Sequence, residues 1–429
     1  MSKTDAMLAR AARRMRDMPG YVAYDLRRFA ELTGTDPAEQ LGVGEVTLTR
    51  LALCRTPHRD RRFAADVQRI ADACGISQAP LANVLRTVEV LTDWVGATAS
   101  QLHRAQQRDR DGSHRPPTTV DHQHIEARPR LLAAARDTAE ERTVVELPPT
   151  GTSAVPRWLA RAVEVFWGEV APPSEFPRDL ELPLLTGLPV AVVELPGLTV
   201  AALAGWLAER HLPTLTPIAD RPLRACLLAY AGIGVVFVDA ADTPAQRRVS
   251  LAHEGGHLIV HYLLPRQEVA RRRPDLLDVL DGSREPTADE RVEAAAFDVP
   301  IGVHTHLQER TPDGHWHDAP GARAEQHAEL VALELLAPQQ EVLQRAQQAK
   351  LDSIEELAAL LEAEFGLPPA TAARYAGQLA RLRPPRPRGL LGLLDLRDPT
   401  AAGSGQNVET AADAATDATH DRRSGDQPT

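Results

Sequence analysis

The residues best suited to chemistry are His253, Glu254 and His257, in the run His253-Glu254-Gly255-Gly256-His257. On a helix, residues four apart lie on one face, about 6 Å apart along the axis. Two imidazoles so placed can both reach one zinc ion. Glu254, next to them, can polarise a zinc-bound water as general base and then shuttle its proton. Each glycine inside a helix costs about 1 kcal/mol relative to alanine. Gly255 and Gly256 therefore point to close approach by a substrate or by a neighbouring element.

A hydrolytic zinc site needs a third protein ligand and an open fourth position. His261 lies about 12 Å along the axis from His253, too far to share the ion, and reads as a partly buried helical histidine. Glu325 and Glu329 are better placed. Ala328, Val331, Ala332, Leu335 and Leu336 form an apolar stripe at helical spacing, and the two carboxylates project one turn apart near its border. One could bind zinc while the other hydrogen-bonds a ligand histidine. Glu290 and Glu293 are rivals at a shorter spacing from His257.

Such a site must be carried by a helix held against a sheet, and the flanking sequence supplies both. Val190 to Leu195 reads as a buried strand and Thr199 to Arg210 as a helix. Cys226 to Tyr230 and Val235 to Asp239, joined through Gly232-Ile233-Gly234, read as a β-hairpin. Thr243-Pro244-Ala245-Gln246 is a helix start with a capping box, and the helix is expected to run to Leu264, where Pro265 ends it. A second helix is expected from Ala324 to Leu336, a third from Ser353, and a fourth from Ala370 to Leu382.

Gln246 to His257 resembles the start of the catalytic helix in the ImmA/IrrE family of metallo-endopeptidases, with its Q-R-F-T-L-A-H-E-x-G-H pattern. Glu325, Ala328, Ala332, Leu335, Leu336 and Pro338 match that family's E-x-x-A-N-x-F-A-x-x-L-L-x-P element, with Glu329 and Val331 as departures. The resemblance covers residues 185 to 340. It implies a zincin-like α+β fold with a small mixed sheet, and Glu325 as the third zinc ligand. It also implies zinc-dependent cleavage of a regulatory protein, commonly a helix-turn-helix repressor. The longer gap between His257 and Glu325 reads as an insertion, residues 266–322. The hairpin strand ending at Asp239 could pair with an extended substrate; Tyr262 and His261 are weak candidates for an oxyanion donor.

The insertion contains His304-Thr305-His306 and His315-Trp316-His317. On a strand each pair would share a face and could chelate a metal, but the Pro, Gly and Asp content favours a polar surface loop or lid. The head, residues 1–96, reads as short helices. Leu41-Gly42-Val43 and Thr47 to Leu51 resemble a helix-turn-helix module of the phage-repressor type, with Arg55, Arg59, Arg61 and Arg62 available to phosphates. Its fourteen Lys/Arg against twelve Asp/Glu leave a net charge of +2, weak for DNA affinity. The alternative function is a non-catalytic DNA-binding or protein-docking regulator built on a peptidase-like fold.

Length and composition frame this reading. The chain has 429 residues, 43% hydrophobic, 25% charged and 4% aromatic, with a formal net charge of −11. That excludes a collagenous, wholly disordered or disulfide-stapled chain and gives no whole-chain case for a nucleic-acid or membrane coat. Cys54, Cys74 and Cys226 are far apart in sequence and show no CxxC spacing. No signal-like or membrane-spanning segment is apparent, so the expected setting is the cytoplasm. The expected organisation is a helical head (1–96), a polar linker (97–130), a metallopeptidase domain (131–340), a helical segment (341–392) and a disordered tail (393–429).

Overall fold

The protein is described here by a computed structural model that covers residues 3–110, 155–168, 171–212, 219–309 and 319–382. The expected tail, most of the expected linker, and His315 and His317 lie outside these residues.

The head comprises α1 (Lys3–Met15), α2 (Val22–Thr33), α3 (Pro37–Leu41), α4 (Glu45–Ala52), α5 (Phe63–Cys74) and α6 (Gln78–Arg110). Asp36 caps α3 by accepting the Ala38 N–H. Gly42 ends that helix in the left-handed region, and α4 follows after Val43 and Gly44. Helix α6 runs to Arg110, into the segment read as linker from residue 97. That segment is polar, but its Ala, Gln, Leu and Arg are good helix formers and it holds neither Pro nor Gly up to Arg110.

Next come α7 (Arg157–Trp167), α8 (Glu181–Gly187), β1 (Val190–Leu195), α9 (Val200–Glu209), β2 (Leu223–Tyr230) and β3 (Ile233–Asp239). The hairpin β2–β3 forms as expected, antiparallel, with Tyr230 opposite Ile233. After α10 (Pro244–His257) the chain makes a π-helical turn, Leu258–Leu263, and continues into α11 (Leu264–Arg272). The insertion supplies α12 (Leu277–Leu280), α13 (Ala288–Ala296) and β4 (His304–Glu309). The described chain closes with α14 (Ala319–Leu336), α15 (Gln339–Gln348), α16 (Ile354–Ala363) and α17 (Pro369–Leu382).

The sheet is four-stranded and mixed, in the order β1-β3-β2-β4, with β1 parallel to β3 and the other pairs antiparallel. Strand β3 is therefore interior. Both of its edges are paired, so it cannot take up an extended substrate as the sequence suggested. Alternation along the strands divides the core. Ala225, Leu227 and Val236 face a large apolar core that includes Leu251, Leu258 and Val331. Cys226, Leu228 and Phe237 face Leu203 and Trp206 of α9 and Trp94 of α6. The first core is continuous from Leu51 and Leu81 in the head to Leu361 and Leu379 near the end of the described chain. The boundaries expected near 96 and 340 do not divide it. Part of the insertion, Val269, Leu276, Val279, Leu280, Ala294 and Val299, forms a satellite core of its own.

Candidate metal centre

Helix α10 starts on the expected capping box: the Gln246 N–H donates to Thr243 Oγ1, and Thr243 N–H donates back to Gln246 Oε1. It packs against α14 more extensively than any other pair of described elements touch. Gly256 permits this. A Cβ there would lie 3.0 Å from the Ala328 carbonyl oxygen and 3.3 Å from Val331 Cβ. At Gly255 a Cβ would lie 3.2 Å from Leu184 Cδ1 of α8. The close approach anticipated from the two glycines is thus made by neighbouring helices.

Pro265 does not end the helix, contrary to expectation. Proline lacks the N–H of an α-helical rung, and its ring clashes with the carbonyl four residues back. The π-turn, in which Leu264 N–H bonds to the Ile259 carbonyl, widens the helix just before this residue and lets it continue.

The close packing of α10 on α14 carries Glu325 to the two histidines. Glu325 Oε2 lies 3.0 Å from His253 Nε2 and 3.5 Å from His257 Nε2, and the two histidine nitrogens are 3.2 Å apart. Ligands about 2.0–2.1 Å from a tetrahedral zinc lie about 3.3 Å from one another, so this triangle fits a zinc-sized ion. All three residues are buried, as is Glu254. The rivals are elsewhere: Glu290 closes the cap of α13 with Thr287 and pairs with Arg284, and Glu293 pairs with Arg273. Glu329 is not beside a ligand histidine; it faces away and pairs with Arg374 of α17 at 2.6 Å.

His306 joins the group, where the sequence had favoured a surface loop. On β4 it stands opposite Leu227 of β2, with His304 opposite Ala229, so both imidazoles take the sheet face that looks toward α10. His306 Nε2 lies 2.6 Å from Glu325 Oε1, and its ring stacks on that of His257 with centroids 3.5 Å apart. Ligand atoms of His253, His257, His306 and Glu325 all lie within 4.8 Å of one another, a group able to hold a metal ion. Its other nitrogen, Nδ1, is 2.9 Å from Glu254 Oε2, while Glu254 Oε1 is buried with no hydrogen-bond partner among the described residues.

Electrostatics match the geometry. Burial, then the neighbouring His306, push His257 well below the usual histidine range, so it is the neutral imidazole that a metal needs. Burial would raise Glu325, but hydrogen bonds from His253, His257 and His306 hold it well below the carboxylate range. His306 is the exception: burial opposes its charge, yet the Glu254 and Glu325 carboxylates lift it to about 10, so without a metal it bridges the two carboxylates as a cation, and it binds an ion only by giving up its Nε2 proton.

His261 supports the site without joining it. Its Nδ1 is 3.0 Å from His257 Nδ1, and burial first, then His327, His304 and His306, lower it to about 3. A neutral His261 can accept the Nδ1–H of His257, which leaves His257 Nε2 free for a metal. The one-turn spacing from His257 to His261 was the available signal, whereas His306 left none beyond its alternation with His304. Tyr262 turns away: its hydroxyl accepts the Gly232 N–H at 2.8 Å. In the head, Arg55 lies over the Tyr21 ring, Arg59 approaches Asp93 at 3.7 Å and Arg62 pairs with Asp60 at 2.8 Å, so these cations have partners within the chain.

No described helix is long and apolar enough to cross a membrane. Comparison of the chain with protein-family models, curated proteins and solved structures finds no match.

Proposed function

We propose that the chain is a zinc-dependent endopeptidase with a zincin-like catalytic core, in keeping with its resemblance to the ImmA/IrrE family. One observation carries this reading: a fully buried glutamate, Glu254, stands beside a His-His-Glu triangle of metal-binding dimensions and keeps one carboxylate oxygen unpartnered. His253, His257 and Glu325 would hold the ion, and a histidine–carboxylate donor set suits zinc. When bound, zinc supplies Lewis acidity toward a peptide carbonyl and a lowered pKa for a coordinated water. Glu254 supplies the rest: Oε1 takes a proton from the attacking water and returns it to the departing amide nitrogen. By the resemblance, the substrate is a regulatory protein such as a helix-turn-helix repressor.

The test combines metal analysis with Glu254→Gln. The expected result is about one zinc per chain in both proteins, a variant that is still folded by thermal melting, and loss of at least 100-fold of proteolysis in the variant. Proteomics of cells expressing each form would identify the cleaved regulator. Protein that takes up no metal, or full cleavage by Glu254→Gln, would overturn the proposal. The second reading, a metal-binding regulator that does not cleave, is favoured by His306, because structural zinc sites are closed by four protein ligands.

A further inference from the structure

The two readings meet in a single device. We propose that His306 is a detachable fourth ligand, so that β4 holds the site in a latent state and lifting β4 opens it. The inference rests on the peptidase reading and concerns how that same site is regulated.

Three observations support it. First, His306 reaches the triangle, with Nε2 at 2.6 Å from Glu325 Oε1 and its ring on that of His257, and its ligand atom lies within 4.8 Å of the other three. Second, its Nδ1 sits 2.9 Å from Glu254 Oε2. A carboxylate on the far nitrogen is the usual orienting partner of a metal-bound imidazole. The same bond takes up one oxygen of the proposed base, so a single side chain fills the fourth position and engages the base.

Third, the four candidate ligands are not held alike. His253, His257 and Glu325 come from α10 and α14, which are locked together at Gly256, where even a methyl group is crowded by the Ala328 backbone. His306 comes from the insertion, on an edge strand that pairs only with β2 among the described strands, and the register of that pairing shifts between Leu223 and Ala225. Removing β4 would leave the β1-β3-β2 ladder and the packing of α10 on α14 intact. Removing any other ligand would require breaking the main core.

The test loads full-length protein with Co(II) alone and records its visible absorption with and without azide, which enters only an open coordination position. Wild type should bind one Co(II) in a four-coordinate spectrum that azide leaves unchanged. His306→Ala and His306→Gln should still bind one Co(II), but with a spectrum that azide shifts. Both variants should cleave unfolded casein at least tenfold faster than wild type, and adding Glu254→Gln should abolish that gain. Thermal melting would show that the variants are folded.

Azide-shifted Co(II) in wild type, alongside proteolysis that depends on Glu254, would overturn the latch and leave the peptidase standing. Loss of Co(II) from both folded variants would also overturn it, because His306 would then be indispensable to the site. A closed wild-type site that opens in the variants without any proteolysis dependent on Glu254 would confirm the ligand and remove the peptidase reading.

Discussion

At the scale of single residues, the site depends on which nitrogen of each histidine faces inward. His257 can offer Nε2 only if Nδ1 keeps its proton, and His261 is the group that receives it, at 3.0 Å and held neutral by burial. His261→Phe retains an aromatic ring but removes the acceptor. Zinc affinity should fall about 10–100-fold, the usual consequence of losing a partner behind a ligand. Competition with a chromophoric chelator would measure this. Tyr262→Phe, which loses a hydroxyl directed at Gly232, should leave zinc affinity within about threefold of wild type; an equal drop in the two variants would show that His261 acts only through packing. Legibility at this scale followed distance in the chain. His253, Glu254 and His257 were apparent because four-residue spacing on a helix fixes their mutual position. Glu325 needed the motif around it. Glu329 was misassigned because spacing places two carboxylates on one helix edge without saying which end meets a neighbouring helix, and α17 brings Arg374 to the second. His306 was apparent only as half of a possible chelating pair with His304; its place beside α10 was illegible because it depends on β4 pairing in register with β2, and nothing local encodes that.

Among the elements, the decisive contact is α10 against α14, and two glycines in other respects alike separate its contribution from helix propensity. Gly377, in α17, has open space where a Cβ would go; Gly256 has the Ala328 carbonyl oxygen at 3.0 Å and its Cα at 3.1 Å. Replacing a helical glycine with alanine gains up to about 1 kcal/mol from propensity alone. Gly377→Ala should therefore be neutral or stabilising by about 0.5–1 kcal/mol. Gly256→Ala meets backbone, which cannot rotate away, and overpacking of this kind costs about 1–3 kcal/mol, so the net effect should be destabilising. Because the added methyl wedges α14 away from α10, Gly256→Ala should also weaken zinc binding, whereas Gly377→Ala should not. Urea unfolding and zinc titration of the two variants would decide the point. The expected helix boundaries held where caps marked them, at Thr243 and Ser353. They failed at Pro265 and at residue 97, where a π-turn and good helix formers carried the chain on.

Across the whole molecule, the question is whether the head is a separate module or part of the body that carries the candidate metal centre. The described residues lie within one compact unit, Met1–Arg383. One side of the sheet ends at β1, an edge that would otherwise present unpaired backbone. Asn83 of α6 closes it: its side-chain NH2 donates to the Val192 carbonyl at 2.9 Å, and its Oδ1 accepts the Val192 N–H at 3.0 Å. Three residues on, Arg86 Nε donates to the Leu185 carbonyl at 2.9 Å. The amide of Asn83 thus stands in for the neighbouring strand at one position. Asn83→Ala would leave a buried donor and a buried acceptor on Val192 without partners, at about 1–3 kcal/mol each. The variant should lose about 2–6 kcal/mol and still unfold in one transition, because the core that Asn83 borders continues through both parts. A chain lacking residues 1–110 should be insoluble, since it exposes both the β1 edge and the apolar surface that Val84, Val88 and Leu91 cover. Hydrogen exchange on the intact protein supplies the opposing outcome: a head whose amides exchange early, while β1 to β3 stay protected, would establish it as an independent module and restore a separate DNA-binding or docking role to it.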